Sequence, residues 1–327
     1  MGDLMLSTAI FEDVRNAFPS AAIDLNTTKP YREMFSTDPR FRSVEAFDFK
    51  KTDRNLAGMV RWVRSVRRGN YDLIIDLQSN DRSRLLLSLV RLLSSGQPVI
   101  VGLHRRYPYH LAPDKDAPAG FIRQQQAVAA AGINSVTRRP RLFVPSRNRM
   151  RARELANAHG LRDGRFAILL PGSNAAGKLK RWGAHRYAAL ADALSREGLG
   201  PAVLIGGPDD LEECAEVSAL AREPGSVVNL CGQTEILDIV PLAEMSRFII
   251  GNDTGTAHVS SAAERPMIVI CGPTDPKRVK PLGDNVVAVQ AELGCVNCYL
   301  KECSHHSCMA LVTMEMILDR IRSMLAA

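Results

Sequence analysis

Short apolar runs rich in β-branched residues alternate with amphipathic helical stretches along nearly the whole chain. The runs fall at residues 21–25, 43–47, 71–77, 99–103, 166–170, 202–205, 227–230, 248–250, 267–270 and 286–289. Helical patterns occupy 56–67, 82–93, 185–196, 211–221 and 314–325. Strands separated by helical crossovers pair in parallel, and the helices then cover both faces of the sheet. The run Leu73-Ile74-Ile75-Asp76-Leu77 is nearly all apolar, as a central strand buried on both sides should be. The expected fold class is α/β.

A chain of 327 residues exceeds one ordinary domain and suits two of roughly 150 each. The basic, proline-containing stretch 136–145 separates two sets of alternating elements. The expected domains are therefore 1–145 and 146–327, the second ending in a helix. In doubly wound sheets ligands sit beyond the carboxyl ends of the strands, so two such domains suit a donor and an acceptor. No apolar run approaches the ~18 residues needed to span a bilayer. Residues 1–15 carry Asp3, Glu12 and Asp13 without a basic leader, so a cytoplasmic location is expected.

The net charge of +7 is concentrated. Arg138, Arg139, Arg141, Arg147, Arg149, Arg151 and Arg153 occur with no acid among them, and Arg61, Arg64, Arg67 and Arg68 form a second group. Both are either solvated surface or meeting points for phosphates of a lipid or a membrane surface. No aromatic interleaving or nucleic-acid module accompanies them, so no nucleic-acid partner is expected.

Two strand ends in the second half carry the chemistry. Gly251-Asn252-Asp253-Thr254-Gly255-Thr256-Ala257-His258 is a small polar turn leading into helix-forming residues. Backbone N–H groups at such a turn favour an anion, Gly255 permits close approach, and Thr254 and Thr256 add hydroxyls. An ordinary turn with an N-cap is the plainer alternative. The second loop, Pro171-Gly172-Ser173 through Lys178, Lys180, Arg181 and Trp182, bears glycines and ends in cations. Lys180 or Lys178 can neutralise charge on a leaving diphosphate. No Walker A spacing is present. A third strand end, Gly206-Gly207-Pro208-Asp209-Asp210, supplies either a ribose-binding carboxylate or a helix cap.

Cys295, Cys298, Cys303 and Cys308 crowd into fourteen residues with His305 and His306 among them. A structural zinc site, reduced thiols and disulfides all remain open, because the spacing is compatible with zinc without being diagnostic. Cys214, Cys231 and Cys271 lie in strand or helix segments and read as buried small hydrophobes.

Taken in order, these motifs resemble glycosyltransferase family 9, the ADP-heptose:lipopolysaccharide heptosyltransferases. The resemblance rests on Gly2-Asp3, Phe18-Pro19, the run from Asp72 to Gln78, Pro171-Gly172-Ser173, Lys180-Arg181-Trp182 and Gly206-Gly207-Pro208. Asn252-Asp253-Thr254-Gly255 with His258, and Cys271-Gly272-Pro273-Thr274, complete it. It implies a GT-B fold of two doubly wound Rossmann-like domains facing each other across a cleft. The first would bind the acceptor and the second the nucleotide sugar. It further implies inverting, metal-independent transfer of heptose from ADP-heptose to a lipid-linked inner-core oligosaccharide, with peripheral contact at the inner membrane. No cofactor is required on this reading. Asp3 looks like the general base and Lys180 like the cation on the donor phosphates. Ser173, Asp253, Thr254, Gly255 and His258 look like donor contacts, and Asp209 like a contact to the ribose.

Two departures from the family pattern stand out. Relatives carry a buried strand ahead of the Gly-Asp turn, whereas here Met1 directly precedes it, so the first strand is expected upstream of Met1. Thr256-Ala257 stands where many relatives have Pro-Met, which leaves sugar selectivity open. A different donor or a protein acceptor, or an inactive nucleotide-binding protein, are the alternatives. An oxidoreductase is disfavoured because no Gly-x-Gly-x2-Gly follows a strand.

Overall fold

The computed structural model describes residues 1–94, 96–118, 120–173 and 175–326, the side chains of Ala175 and Ala176 excepted. The chain forms two compact units. One is Ser7–Thr137; the other joins Met1–Leu6 to Arg138–Ala327.

The first unit contains β1 (Asp24–Thr27), β2 (Ser43–Ala46), β3 (Leu73–Ile75) and β4 (Val99–Val101). They form two separate two-stranded parallel sheets, β1 with β2 and β3 with β4. Among the described residues β1, β2 and β3 each pair on one side only, while β4 is also bridged through Val101 to Leu111. This explains why Leu73, Ile74 and Ile75 are half-buried rather than enclosed on both faces. The helices Leu56–Arg68 and Asp81–Leu93 start at Asn55 and Asn80, whose side chains accept from Gly58 and Ser83 N–H groups at 2.8 Å. Such caps supply the acceptor that a helix start lacks. Trp62, Val63, Leu86, Leu87 and Val90 from these helices bury with Phe47, Ile100 and Tyr109.

The second unit carries a single sheet of β5 (Ala167–Leu170), β6 (Ala202–Leu204), β7 (Val227–Asn229), β8 (Phe248–Asn252), β9 (Met267–Cys271) and β10 (Val286–Gln290). All pairings are parallel, in the order β10-β9-β8-β5-β6-β7. Every residue of β5, β6, β8 and β9 is buried, as near-continuous apolar runs require. Each fully buried Leu or Ile contributes about 1.5–3 kcal/mol relative to exposure. The chain winds outward from β5 through β6 to β7, then returns to place β8 on the other side of β5. The strand order therefore reverses between β5 and β8, and beyond the carboxyl ends of two such strands a crevice for ligands forms.

The helix Gly2–Ala17 was not anticipated; a turn was expected at Gly2-Asp3. Met5, Leu6, Ala9 and Ile10 are buried on one face of it, at helical spacing.

Candidate active site

Lys180 ends the 3-10 stretch Ala175–Lys180 that follows β5. Its ammonium lies 2.7 Å from Oδ2 of Asp253, the first residue after β8. The hydroxyl of Thr274, past the end of β9, donates to the same oxygen at 3.0 Å. The other carboxylate oxygen faces Nε2 of His258 at 3.9 Å, an electrostatic contact too long for a hydrogen bond. Three adjacent strands thus deliver one cluster at the reversal of strand order. Burial pushes the Asp253 carboxyl up, but the His258 imidazole and the Lys180 ammonium outweigh it and hold it below the usual carboxylate range. The Lys180 side chain keeps 31% of its exposure, so a ligand can reach its charge.

Asn252 fixes the loops around this cluster. Its side-chain amide donates to the carbonyls of Pro171 (2.5 Å) and Gly172 (3.2 Å). Its oxygen accepts from the backbone N–H of Trp182 (3.2 Å) and the hydroxyl of Tyr187 (3.0 Å). The residues either side of the Lys180 loop are therefore pinned to the end of β8. Trp182 itself is fully buried, its indole N–H donating to the Val312 carbonyl at 2.7 Å.

The remaining expected residues divide. Thr254 and Gly255 begin the short helix Gly255–Ser260, and His258 lies within it, 4% exposed. Nδ1 of His258 is buried with no hydrogen-bond partner among the described residues. Gly255 lies close to the Met1 side chain: a Cβ there would come within 2.8 Å of its sulfur. Gly2 lies against the His258 ring, where an added Cβ would stand 3.0 Å from Nε2. Asp3 follows, exposed, on the first turn of its helix.

Ser173 is buried, and its hydroxyl donates to the Gly177 carbonyl at 2.9 Å, so it braces its own loop. Asp209 is exposed, whereas Asp210 is buried and accepts from the Gly207 N–H at 2.9 Å. Of the acidic pair, Asp210 makes the turn and Asp209 is left accessible.

Four contributors had no assigned role in the sequence reading: Thr274, Asn252, Arg181 and His306. Arg181 donates to the Ser173 hydroxyl and carbonyl and to the Asp209 carbonyl at 3.1–3.2 Å, and pairs with Glu213 at 3.2 Å. Burial pushes both the Asp210 and the Glu213 carboxyls up, against the pull of this guanidinium. Thr274 was the most findable, since it lies just past the next strand end. His306 donates from Nε2 to the Leu179 carbonyl at 2.6 Å, and Tyr299 N–H donates to the Pro273 carbonyl at 2.8 Å. The cysteine-bearing segment thereby touches both loops that reach Asp253.

All seven cysteines are free thiols, with Cys295 and Cys298 exposed, Cys303 half-buried and Cys308 buried. Burial raises the Cys308 thiol, and the nearby thiols of Cys298, Cys295 and Cys303 add to it. Among the described residues, no group of three or more His, Cys, Asp or Glu is arranged to hold a metal ion. Three of the seven arginines of the basic run near 138–153 pair with acids of their own unit. Arg139 meets Glu264, Arg149 meets Glu244 at 2.6 Å, and Arg151 meets Glu235 at 2.6 Å and Asp238 at 3.3 Å. Among the described residues, no helix is long and apolar enough to cross a membrane.

The sequence model of glycosyltransferase family 9 (heptosyltransferase) matches residues 59–309. The chain belongs to glycosyltransferase family 9. It is 26% identical to lipooligosaccharide heptosyltransferase 2 of Haemophilus influenzae, over 100% of this chain and 97% of that protein. The crystal structure of a family 9 glycosyl transferase from Veillonella parvula superposes with a TM-score of 0.84 at 20% identity, covering 100% of this chain and 94% of that one. The E. coli ADP-heptose LPS heptosyltransferase II superposes at 0.73 with 23% identity, covering 99% and 96%. The fold of this family 9 chain is GT-B, as the motifs implied.

Proposed function

We propose that this family 9 glycosyltransferase moves heptose from ADP-heptose to an inner-core acceptor of lipopolysaccharide, with inversion, at the cytoplasmic face of the membrane. The observation that carries the reading is the Lys180 ammonium, paired with an Asp253 carboxylate that Thr274 also holds, where the strand order reverses. A departing ADP builds negative charge, and a preoriented cation stabilises that charge more in the transition state than in the ground state. Relatives named for ADP-heptose and for lipopolysaccharide or lipooligosaccharide supply the donor and acceptor.

The roles follow from charge. Asp253 is ionised and shares its sign with a diphosphate, so it serves to aim Lys180 and to accept from sugar hydroxyls. Lys180 exchanges part of its contact with Asp253 for the donor phosphates. The N–H groups at Thr254 and Gly255 and the His258 imidazole complete the donor side, and the accessible Asp209 takes the ribose. Asp3 is the base that removes the acceptor hydroxyl proton as that oxygen attacks the anomeric carbon. A single displacement of this kind needs no cofactor, and no step is assigned to a metal.

The test is incubation of the protein with ADP-heptose and a panel of truncated core acceptors, followed by mass analysis of the products. A mass gain of one heptose on one acceptor, absent with UDP-sugars, is expected. Tighter binding of a UDP-sugar than of ADP-heptose, with no heptosyl product, would overturn the donor assignment.

A further inference from the structure

Lys180 and Arg181 are consecutive, yet their side chains serve opposite neighbours of β5. In the sheet, β5 lies between β8 and β6. The Lys180 ammonium reaches Asp253, just beyond β8. The Arg181 guanidinium goes instead to the segment beyond β6. There it donates to the Asp209 carbonyl at 3.1 Å and pairs at 3.2 Å with Glu213, on the helix Leu211–Leu220. It also returns to its own loop, donating to the Ser173 hydroxyl and carbonyl, both at 3.2 Å. The Asp210 carboxyl stands 3.8 Å from the same group. One planar cation thus joins the loop after β5 to the turn after β6.

These contacts commit its charge. The Arg181 side chain keeps 16% of its exposure against 31% for Lys180, and two carboxyls face it. A guanidinium so paired has little charge left to neutralise a ligand; what it supplies is distance. Its N–H groups leave a rigid plane at fixed angles and meet four acceptors on two loops and a helix. A lysine ammonium, a point charge with three donors on a flexible stem, cannot span them. The backbone on the far side is fixed as well, because Trp182 is fully buried with its N–H on Asn252.

We infer that Arg181 is a positioning residue that sets the separation between Lys180 and Asp209, so that the diphosphate and the ribose of one nucleoside diphosphate are gripped together. The inference rests on the donor reading given above. In such a ligand the ribose and the first phosphate are joined through a single methylene and an oxygen, so their separation scarcely varies. Once one of them is bound, a protein site held at the matching separation makes the second contact with little further loss of freedom. A site with slack forfeits that gain. The two contacts are therefore cooperative, and the cooperativity belongs to Arg181.

The test is calorimetric binding of ADP to the wild-type protein, Asp209→Ala, Lys180→Ala, Arg181→Lys and Arg181→Lys/Asp209→Ala, with a melting temperature for each. Arg181→Lys should weaken ADP binding about tenfold. Asp209→Ala should cost about tenfold alone but less than about twofold in the Arg181→Lys background, a non-additivity that general loss of stability does not produce. Arg181→Lys keeps a charge opposite Glu213. Arg181→Gln/Glu213→Gln removes both charges together and repeats the comparison if the lysine variant melts well below wild type. Equal losses for Asp209→Ala in both backgrounds, or wild-type ADP affinity in the Arg181 variants, would overturn the inference and leave the donor reading standing. Unchanged ADP binding in both Asp209→Ala and Lys180→Ala would remove the donor reading itself, and this inference with it.

Discussion

Nε2 of His306 donates a 2.6 Å hydrogen bond to the carbonyl of Leu179, 127 residues earlier in the chain and one residue before Lys180. The backbone N–H of His306 in turn donates to the Cys303 sulfur at 3.3 Å. A thiol-bearing segment and the proposed phosphate-binding lysine are therefore linked through one imidazole.

Replacing His306 by Ala should lower kcat about tenfold or more, because a reacting group displaced by a fraction of an ångström loses much of its effect. His306→Gln, whose amide can donate to the same carbonyl, should recover most of the rate. Steady-state kinetics with thermal melts separate this from general loss of folding, since melting temperatures should differ little between the two variants.

The Lys180–Asp253 pair sets a second expectation. Lys180→Ala should reduce kcat by roughly 10²–10³ while leaving the fold intact, the scale seen when one preorganised donor to a developing anion is removed. Asp253→Asn should instead cost stability, about 1–3 kcal/mol, by leaving buried polar groups mispaired. Chemical denaturation of both variants distinguishes the roles.

Acid should act through the same carboxylate. The folded Asp253 titrates below its unfolded value, so its contribution to stability is complete above the ordinary carboxyl range of about 3.9. It is lost as pH falls through the lowered native value. Melting temperature against pH should therefore drop less steeply on the acid side in Asp253→Asn than in the unchanged protein.

The cysteines should label in a fixed order. Cys295 and Cys298 are exposed, whereas Cys271 is buried and pushed up to about 12 by its burial. Iodoacetamide at neutral pH followed by peptide mapping should modify Cys295 and Cys298 first. Cys214, Cys231 and Cys271 should react only after denaturation.

Two neighbouring glycine turns should tolerate substitution differently. A Cβ at Gly172 would stand 2.0 Å from the Asp210 carboxyl, while one at Gly207 meets nothing within 4 Å. Gly172→Ala should destabilise by about 1–3 kcal/mol, as overpacking does, and Gly207→Ala should be close to neutral. Urea titrations check both.

Much of this was legible in sequence because strand ends in a parallel α/β sheet are marked locally. The apolar runs at 166–170, 248–250 and 267–270 are followed within four residues by Pro171-Gly172-Ser173, Asp253-Thr254 and Thr274, so the strand ends that build the cluster could be placed. What local pattern could not supply is partnership across the chain. Nothing near Asn252 announces that it ties Pro171 to Tyr187, and nothing near His306 points to Leu179. The half-buried state of β3 was also out of reach, since an apolar run reports its own side chains and not how many neighbours its edges find. The first helix was within reach: Met5, Leu6, Ala9 and Ile10 carry its period.

The two short ladders of Ser7–Thr137 have a mechanical meaning. A two-stranded sheet has little stability of its own, so this unit depends on the helices laid over its apolar clusters. The other unit threads six strands into one continuous network of backbone bonds. Breathing motions are then shared unequally, with the stiffness concentrated beneath Lys180 and Asp253 and the compliance left to the half that carries the helices Leu56–Arg68 and Asp81–Leu93.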